Sequence, residues 1–254
     1  YIFWLMLKKI SRNYIKTALV FSTIFFSIST DSLFAQNQEE PIALETKKDT
    51  VYKEKYGLRV GIDLSKLART VLDDDYTGFM LEADMRIYKN YYLAAEIGNE
   101  TLPFGEDYIK VSSSGSFVKI GANYNAYENW EGMQNIVFAG LRYGFSTFSQ
   151  DLEEYQIYTT NNYFGDDIRI DGSKASGLNA SWIELMAGFK VEVLKNLFLS
   201  ANVQLKRRLS QTTPDGFDNL TIPGFGRTFD ESNFGIGYGY SISYLIPIFK
   251  KAKN

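Results

Sequence analysis

Residues 233–249, NFGIGYGYSISYLIPIF, constrain the fold more than any other stretch of the chain. Phe234, Ile236, Tyr238, Tyr240, Ile242, Tyr244 and Ile246 share one parity, and Gly235, Gly237, Gly239, Ser241 and Ser243 fill the other. Successive side chains of a strand point to opposite faces. One face is therefore bulky and apolar, the other small and weakly polar. A soluble sheet would reverse those sizes, because its core needs bulk and its wet face tolerates charge. A greasy outside around a small, wet inside is the pattern of a membrane β-barrel strand. The length agrees, since a tilted spanning strand needs about 9–11 residues. Pro247 follows the apolar run and is expected at the strand end, where its missing N–H is tolerable.

The same parity recurs upstream. Strands are expected at 56–67, 76–88, 91–100, 115–127, 135–149, 179–193 and 197–210, with the final stretch closing the set. In 179–193, Ile183, Leu185, Ala187, Phe189 and Val191 take the lipid parity, and Glu184, Met186, Gly188, Lys190 and Glu192 the inner one. Lys89-Asn90, the region of Trp130, and Lys195-Asn196 read as short turns, Asn90 supplying tolerance for positive φ. The connections 101–114, 150–178 and 211–232 read as long loops. Short turns on one side and long loops on the other are the habit of outer-membrane barrels. The expected fold is all-β: an eight-stranded antiparallel transmembrane up-and-down β-barrel over 56–249, with a tail at 250–254. A lipocalin-type soluble barrel would bury its apolar parity around a greasy ligand. Charges and glycines on the inner parity argue against that.

Ahead of the barrel, Lys8, Lys9, Arg12 and Lys16 precede the apolar run TALVFSTIFFSI and a small-residue site at Leu33-Phe34-Ala35. This reads as a cleaved signal peptide over 1–35, with Met6 the expected start. The polar residues 36–55 read as a periplasmic lead-in. Loss of a leader of net +3, Asp31 included, would take the whole-chain charge from −3 to about −6. An acidic mature chain is a poor candidate for nucleic acid. The sequence has no Cys and no His. It therefore offers no disulfide framework, no lipoprotein-type anchor, no Ser-His-Asp or Cys-His catalysis and no His-based metal site.

The inner parity supplies Arg59, Arg86, Lys119, Arg142, Lys190, Lys206 and Arg208 against Asp63, Glu82, Asp84, Glu96, Glu184 and Glu192. The signs nearly cancel, and a barrel of this size is only wide enough for its side chains to fill. An ion-paired plug is expected, in which opposite charges offset one another's desolvation. A path of titratable groups for protons or ions is the competing reading. Glu82 with Asp84 could in principle act as acid and base, but Arg86 on the same face favours pairing. Asp73-Asp74-Asp75 and Asp166-Asp167 lack EF-hand spacing. No catalytic, cofactor-binding or metal residue is assigned. In the loop 211–232, Ile222, Pro223, Phe225, Arg227 and Phe229 form an apolar, turn-forming segment with one guanidinium. Exposed, it would be a partner-contact surface; folded back, it would cover the barrel mouth.

Two stretches carry a family resemblance: YGLRVGIDLSKLARTVLDDDYTGF at 56–79 and NLTIPGFGRTFDESNFGIGYGYSISYLIPIF at 219–249. The chain resembles a small outer-membrane barrel family of Bacteroidota catalogued as a domain of unknown function. That resemblance implies an eight-stranded barrel without an enzymatic signature. It further implies an accessory integral subunit of the Bacteroidota β-barrel assembly machinery, in contact with outer-membrane lipid, the central assembly barrel and surface lipoproteins. A small-solute pore is the alternative function, and a His-free barrel enzyme the third.

Overall fold

The computed structural model describes residues 53–106, 108–127, 134–157, 167–214, 217–229 and 231–252. The expected leader, most of the lead-in, the turn at Trp130 and the end of the tail lie outside the described residues.

The elements in chain order are β1 (Lys53–Asp63), α1 (Leu64–Leu72), β2 (Thr77–Tyr88), β3 (Tyr91–Glu106), β4 (Ile109–Asn125), β5 (Ile136–Ile157), β6 (Asp167–Leu194) and β7 (Leu197–Gln211). Two short strands, β8 (Thr221–Ile222) and β9 (Gly226–Arg227), precede β10 (Phe234–Ala252). The strands close a barrel in the order β1-β10-β7-β6-β5-β4-β3-β2, every neighbour antiparallel, while β8 and β9 pair with each other.

Side-chain parity sets which face is which. In β5, Val137, Ala139, Leu141, Tyr143 and Phe145 are exposed, and Phe138, Gly140, Arg142, Gly144 and Ser146 are buried. In β10, Phe234, Ile236, Tyr238, Tyr240, Tyr244 and Ile246 are exposed while Gly235, Gly239, Ser241 and Ser243 are buried. The outer face is thus an apolar belt around the ring. The inner face holds the charges, and in places an inward glycine leaves room for a large neighbour. A Cβ on Gly144, for instance, would collide with the indole of Trp182.

Four local features differ from the sequence expectation. First, the strand expected over 56–67 stops at Asp63 and turns into α1. Asp63 is the N-cap, its carboxylate accepting from the Lys66 N–H at 3.0 Å. Had the strand continued, Lys66 would have stood on the apolar parity of Leu58, Val60, Ile62 and Leu64. Second, the segments expected as loops at 101–114 and 150–178 are largely strand. β3 pairs with β4 up to Glu106↔Ile109, and β5 with β6 up to Ile157↔Asp167, with bulges. These extensions carry polar residues on both faces, joined in one place by the Thr101 and Ser114 hydroxyls 3.0 Å apart. Without an apolar parity to keep, they leave no period-2 signal. Third, Pro247 lies within β10, opposite Gly57, beside a register shift at Tyr56/Gly57 that accommodates a residue without an N–H. Fourth, in the tight turns the positive φ falls on Lys89 (40°) and Asn196 (66°), not on Asn90.

Candidate functional site: the filled lumen and its plug

The inner charges gather into separate clusters. Toward the short-turn end, Asp84 takes Arg59 at 3.2 Å and Lys190 at 2.7 Å. Glu82 lies 3.7 Å from Lys190 and accepts from the Ser241 hydroxyl at 2.7 Å. The Arg59 guanidinium sits 4.4 Å from the Phe198 ring centre, a cation–π contact in a desolvated setting. An apolar layer of Tyr92, Ile136, Phe138 and Met186 also lines this part of the lumen.

A second cluster forms around Lys119. Its ammonium lies 3.2 Å from Glu96 and 3.3 Å from Glu184. Arg142 reaches Glu96 at 3.2 Å and spends its other donors on Asn123 Oδ1 at 2.9 Å and the carbonyls of Ala122 and Leu141, both at 3.1 Å. The Trp182 indole N–H donates to Glu184 at 3.2 Å. All of these ionic groups are buried. Each carboxylate has a cation, and each cation has further acceptors, which is the condition for tolerating charge away from water.

Above that cluster the lumen turns apolar. Met80, Phe117, Phe148, Leu178, Ala180 and Trp182 pack around Ile222 and Phe225, which come from the segment between β7 and β10. That segment folds into the barrel mouth as a plug. Its backbone is held by charges: Lys206 donates to the carbonyls of Gly224 at 2.9 Å and Phe225 at 3.1 Å, and the Gly224 N–H donates to Glu100 at 2.9 Å. Glu100 also takes Lys66 of α1 and the Tyr76 hydroxyl, both at 2.6 Å. Burial, with the Glu100 carboxylate beside it, pushes the Tyr76 phenol well above its ordinary range, so it stays a donor. Gly224 is in the left-handed region at φ +81°, against the Phe117 ring, where a Cβ would clash.

The residues read from the inner parity thus have different fates. Arg59, Glu82, Asp84 and Lys190 meet in one cluster, and Glu96, Lys119, Arg142 and Glu184 in another. The remaining five stand outside both. Asp63 caps α1. Lys206 holds the plug and makes no ion pair of its own among the described residues. Glu192 lies at the short-turn rim, 3.5 Å from Lys55 and accepting from the Asn196 N–H. Arg86 donates to the Lys89 carbonyl and stacks 4.7 Å from Tyr56. Arg208 reaches Asn233 at 3.1 Å in an exposed position. These last three sit where strands meet their turns, so their charges stay near water.

Of the two readings of this segment, the structure takes the folded-back one for Ile222, Pro223 and Phe225, which are buried and so form no partner-contact surface. Enough apolar wall lies open at the mouth that burying them there outweighs leaving them in solvent. Arg227 and Phe229 remain exposed, Arg227 pairing with Glu106 at 2.7 Å and lying over Phe104 and Phe229. Glu100, Tyr76 and Trp182 are site residues that the sequence reading missed. Glu100 was findable, since it continues the inner parity of Glu96 and Gly98.

A closed antiparallel ring with an apolar exterior and a paired, buried polar interior defines a membrane-type β-barrel, consistent with an outer-membrane location. The chain belongs to the family described as Domain of unknown function (DUF6048), whose model matches residues 17–251. No curated protein matches the sequence. Among solved structures, that of Ail, the attachment invasion locus protein of Yersinia pestis, is similar over 76% of this chain and 98% of that one. At 9% identity and a TM-score of 0.37 the likeness is too remote to carry an argument.

Proposed function

We propose that the protein is an eight-stranded integral outer-membrane barrel that works as a non-enzymatic, accessory subunit of an envelope complex, the β-barrel assembly machinery of Bacteroidota. The observation that carries the first part is the lumen. Lys119, Arg142, Trp182 and Glu184 are packed with almost no free surface, and Ile222 and Phe225 lie across the mouth above them. A barrel filled in this way favours a scaffold over a pore. Its carboxylates are held in ion pairs instead of facing a cleft, which favours a scaffold over an enzyme. The assembly role rests on the resemblance. Its two carrying stretches, 56–79 and 219–249, meet in space where β1 pairs with β10. Arg227 and Phe229, on the outer surface of the plug, are the side chains through which a soluble partner at the cell surface would make contact.

The test is purification of the tagged protein from its own outer membrane in mild detergent, with mass spectrometry of what comes with it. Recovery of a large assembly barrel with surface lipoproteins, reduced by Arg227→Ala or Phe229→Ala while the heat-modifiable folded band persists, is the expected result. A barrel that purifies alone from native membranes, or that conducts steadily in a planar bilayer, would overturn the reading.

A further inference from the structure

The short-turn rim of the barrel is basic, although the chain as a whole is at −3. Lys55, Arg86, Lys89 and Lys195 stand there, β10 ends on Lys250 and Lys251, and the acids among the described residues are Glu54 and Glu192. Beside this rim runs a collar of exposed aromatic rings, Tyr88, Tyr91 and Tyr124, with Phe249 at the end of β10. Tyr91 meets Tyr124 with ring centroids 5.3 Å apart, and the Lys89 ammonium lies 5.5 Å from the Tyr88 ring centre. Aromatic rings collect on membrane proteins at the level of the lipid headgroups. The basic rim is thereby set at headgroup depth.

The collar has a gap. At the short-turn ends of β5, β6 and β7 the outward positions are aliphatic: Val137, Val193 and Leu199. In that gap an open cavity of about 470 Å³ lies against the β6–β7 turn. One side of it is Val193, on the lipid parity, with Leu194, both exposed. The other side is Lys55, Glu192 and Lys195, with Gln134 and Asn135. The cavity therefore joins the lipid face of the wall to the polar rim of the lumen, and its lining is half apolar and half charged.

The two lysines differ in what they already hold. The Lys55 ammonium donates to Asn196 Oδ1 at 2.8 Å and lies 3.5 Å from Glu192, so it compensates that carboxylate. Lys195 is exposed in the turn, and its ammonium pairs with no carboxylate among the described residues. An uncompensated cation beside an apolar wall calls for an anion attached to hydrocarbon. A carboxylate of a peptide or a cell-wall polymer would satisfy Lys195 and leave Val193 and Leu194 uncovered, and a bare acyl chain would do the reverse. With short turns on the periplasmic side, the phosphates at this depth belong to phospholipids of the inner leaflet.

We infer that the cavity at the β6–β7 turn binds an anionic phospholipid of the periplasmic leaflet, its phosphate on Lys195 and an acyl chain along Val193 and Leu194. A phosphoglycerol headgroup, with a net negative charge, fits the uncompensated cation better than phosphocholine, whose own ammonium cancels its phosphate. The inference rests on the membrane-barrel reading with its short turns toward the periplasm, and not on the assembly role.

In the experiment, the folded barrel is purified in mild detergent and titrated with phosphatidylglycerol, and separately with phosphatidylcholine of the same acyl chains. Bound lipid is counted by native mass spectrometry. A first, saturable phosphatidylglycerol should bind at a concentration about fivefold below that needed for phosphatidylcholine, the effect of one cation on anionic lipid. Lys195→Gln should abolish that preference and Lys195→Arg should keep it. Lys89→Gln, at the same rim but outside the cavity, should leave it unchanged. On the wild-type protein, phosphatidylglycerol with a photoreactive acyl chain should label Val193 or Leu194 ahead of Met85 and Ile87 on β2. Equal binding of the two lipids, equal losses in Lys195→Gln and Lys89→Gln, label spread evenly around the belt, or Lys195-dependent retention on peptidoglycan in place of lipid would each overturn the inference. Absence of a heat-modifiable folded form in the wild-type preparation would instead count against the barrel reading itself.

Discussion

Lys119→Met tests whether the lumen charges are held by one another or by water. Lys119 is the sole ionic partner of Glu184 among the described residues, at 3.3 Å, and shares Glu96 with Arg142. Removing the ammonium leaves Glu96 its Arg142, but leaves Glu184, at 0% exposure, with the Trp182 N–H as its hydrogen-bond donor, since Lys206 opposite it in the β6–β7 register donates to the plug carbonyls. One orphaned buried charge results, not two. Breaking such a pair from one side costs about 3–5 kcal/mol. Glu184→Gln alone keeps an oxygen for the indole and leaves Lys119 on Glu96, so it should cost about 1.5–3 kcal/mol, the scale of one charged hydrogen bond. The double variant Lys119→Met/Glu184→Gln removes both charges and should recover most of the single loss. Each protein is folded into lipid vesicles and titrated with urea, and the heat-modifiable band is followed at equilibrium. A Lys119→Met barrel within about 1 kcal/mol of wild type would mean that water solvates Glu184. A double variant no better than Lys119→Met would mean that the loss came from packing and not from charge.

Leu185→Arg places a cation on the outer parity between Leu141 and Leu205 and should cost roughly 2–4 kcal/mol in vesicle unfolding, less if the site lies near an interface; wild-type stability would mean this face does not meet lipid. Phe225→Ala removes the plug's main aromatic from Trp182 and Phe117, with an expected loss of about 3–5 kcal/mol and new protease cleavage within 219–229. Lys206→Met leaves the carbonyls of Gly224 and Phe225 without their donor and should also expose the plug to protease while the folded band survives; resistance equal to wild type would show that Lys206 does not hold it. Arg142→Ala should raise planar-bilayer conductance above a silent wild type, and an equally silent variant would mean the plug alone seals the barrel.

The wall was legible in the sequence because it obeys one rule. Leu185 and Glu184 take the sides that parity assigns, and the same holds for Tyr143 and Arg142 on the neighbouring strand. Where two constraints act at once, parity stops being informative. Past Glu100, β3 keeps its ladder but leaves the apolar belt, so Pro103, Gly105 and the serines of β4 read as loop. At Asp63 the strand signal carried the reading into α1. The clue against it was Lys66 at a lipid position, a charge that a spanning strand does not place there. The inner charges were legible as a set but not as partners. Whether Lys190 meets Asp84 or Glu192 depends on stagger between strands, which parity does not contain. Lys206 shows the limit most clearly: its place on the inner face follows from alternation, yet its acceptors are backbone carbonyls of a segment far along the chain.

That segment and the closing strand are continuous, which ties the plug to the closure of the ring. Phe225 enters the mouth nine residues before Phe234 begins β10. Gly235, the first inward position of β10, lies against the Phe225 ring, where a Cβ would stand about 3.0 Å from the ring edge, closer than side chains ordinarily pack. Lys206 sits opposite Gly235 in the β7–β10 register and at the same time binds the plug backbone. One residue of slip in β10 would bring Phe234 or Ile236 to the place of Gly235, into the Phe225 ring. The seated plug therefore selects the register in which Phe234, Ile236, Tyr238 and Tyr240 face outward. The glycines of β10 that first mark it as a membrane strand are also what lets a folded loop lie inside the barrel beside it.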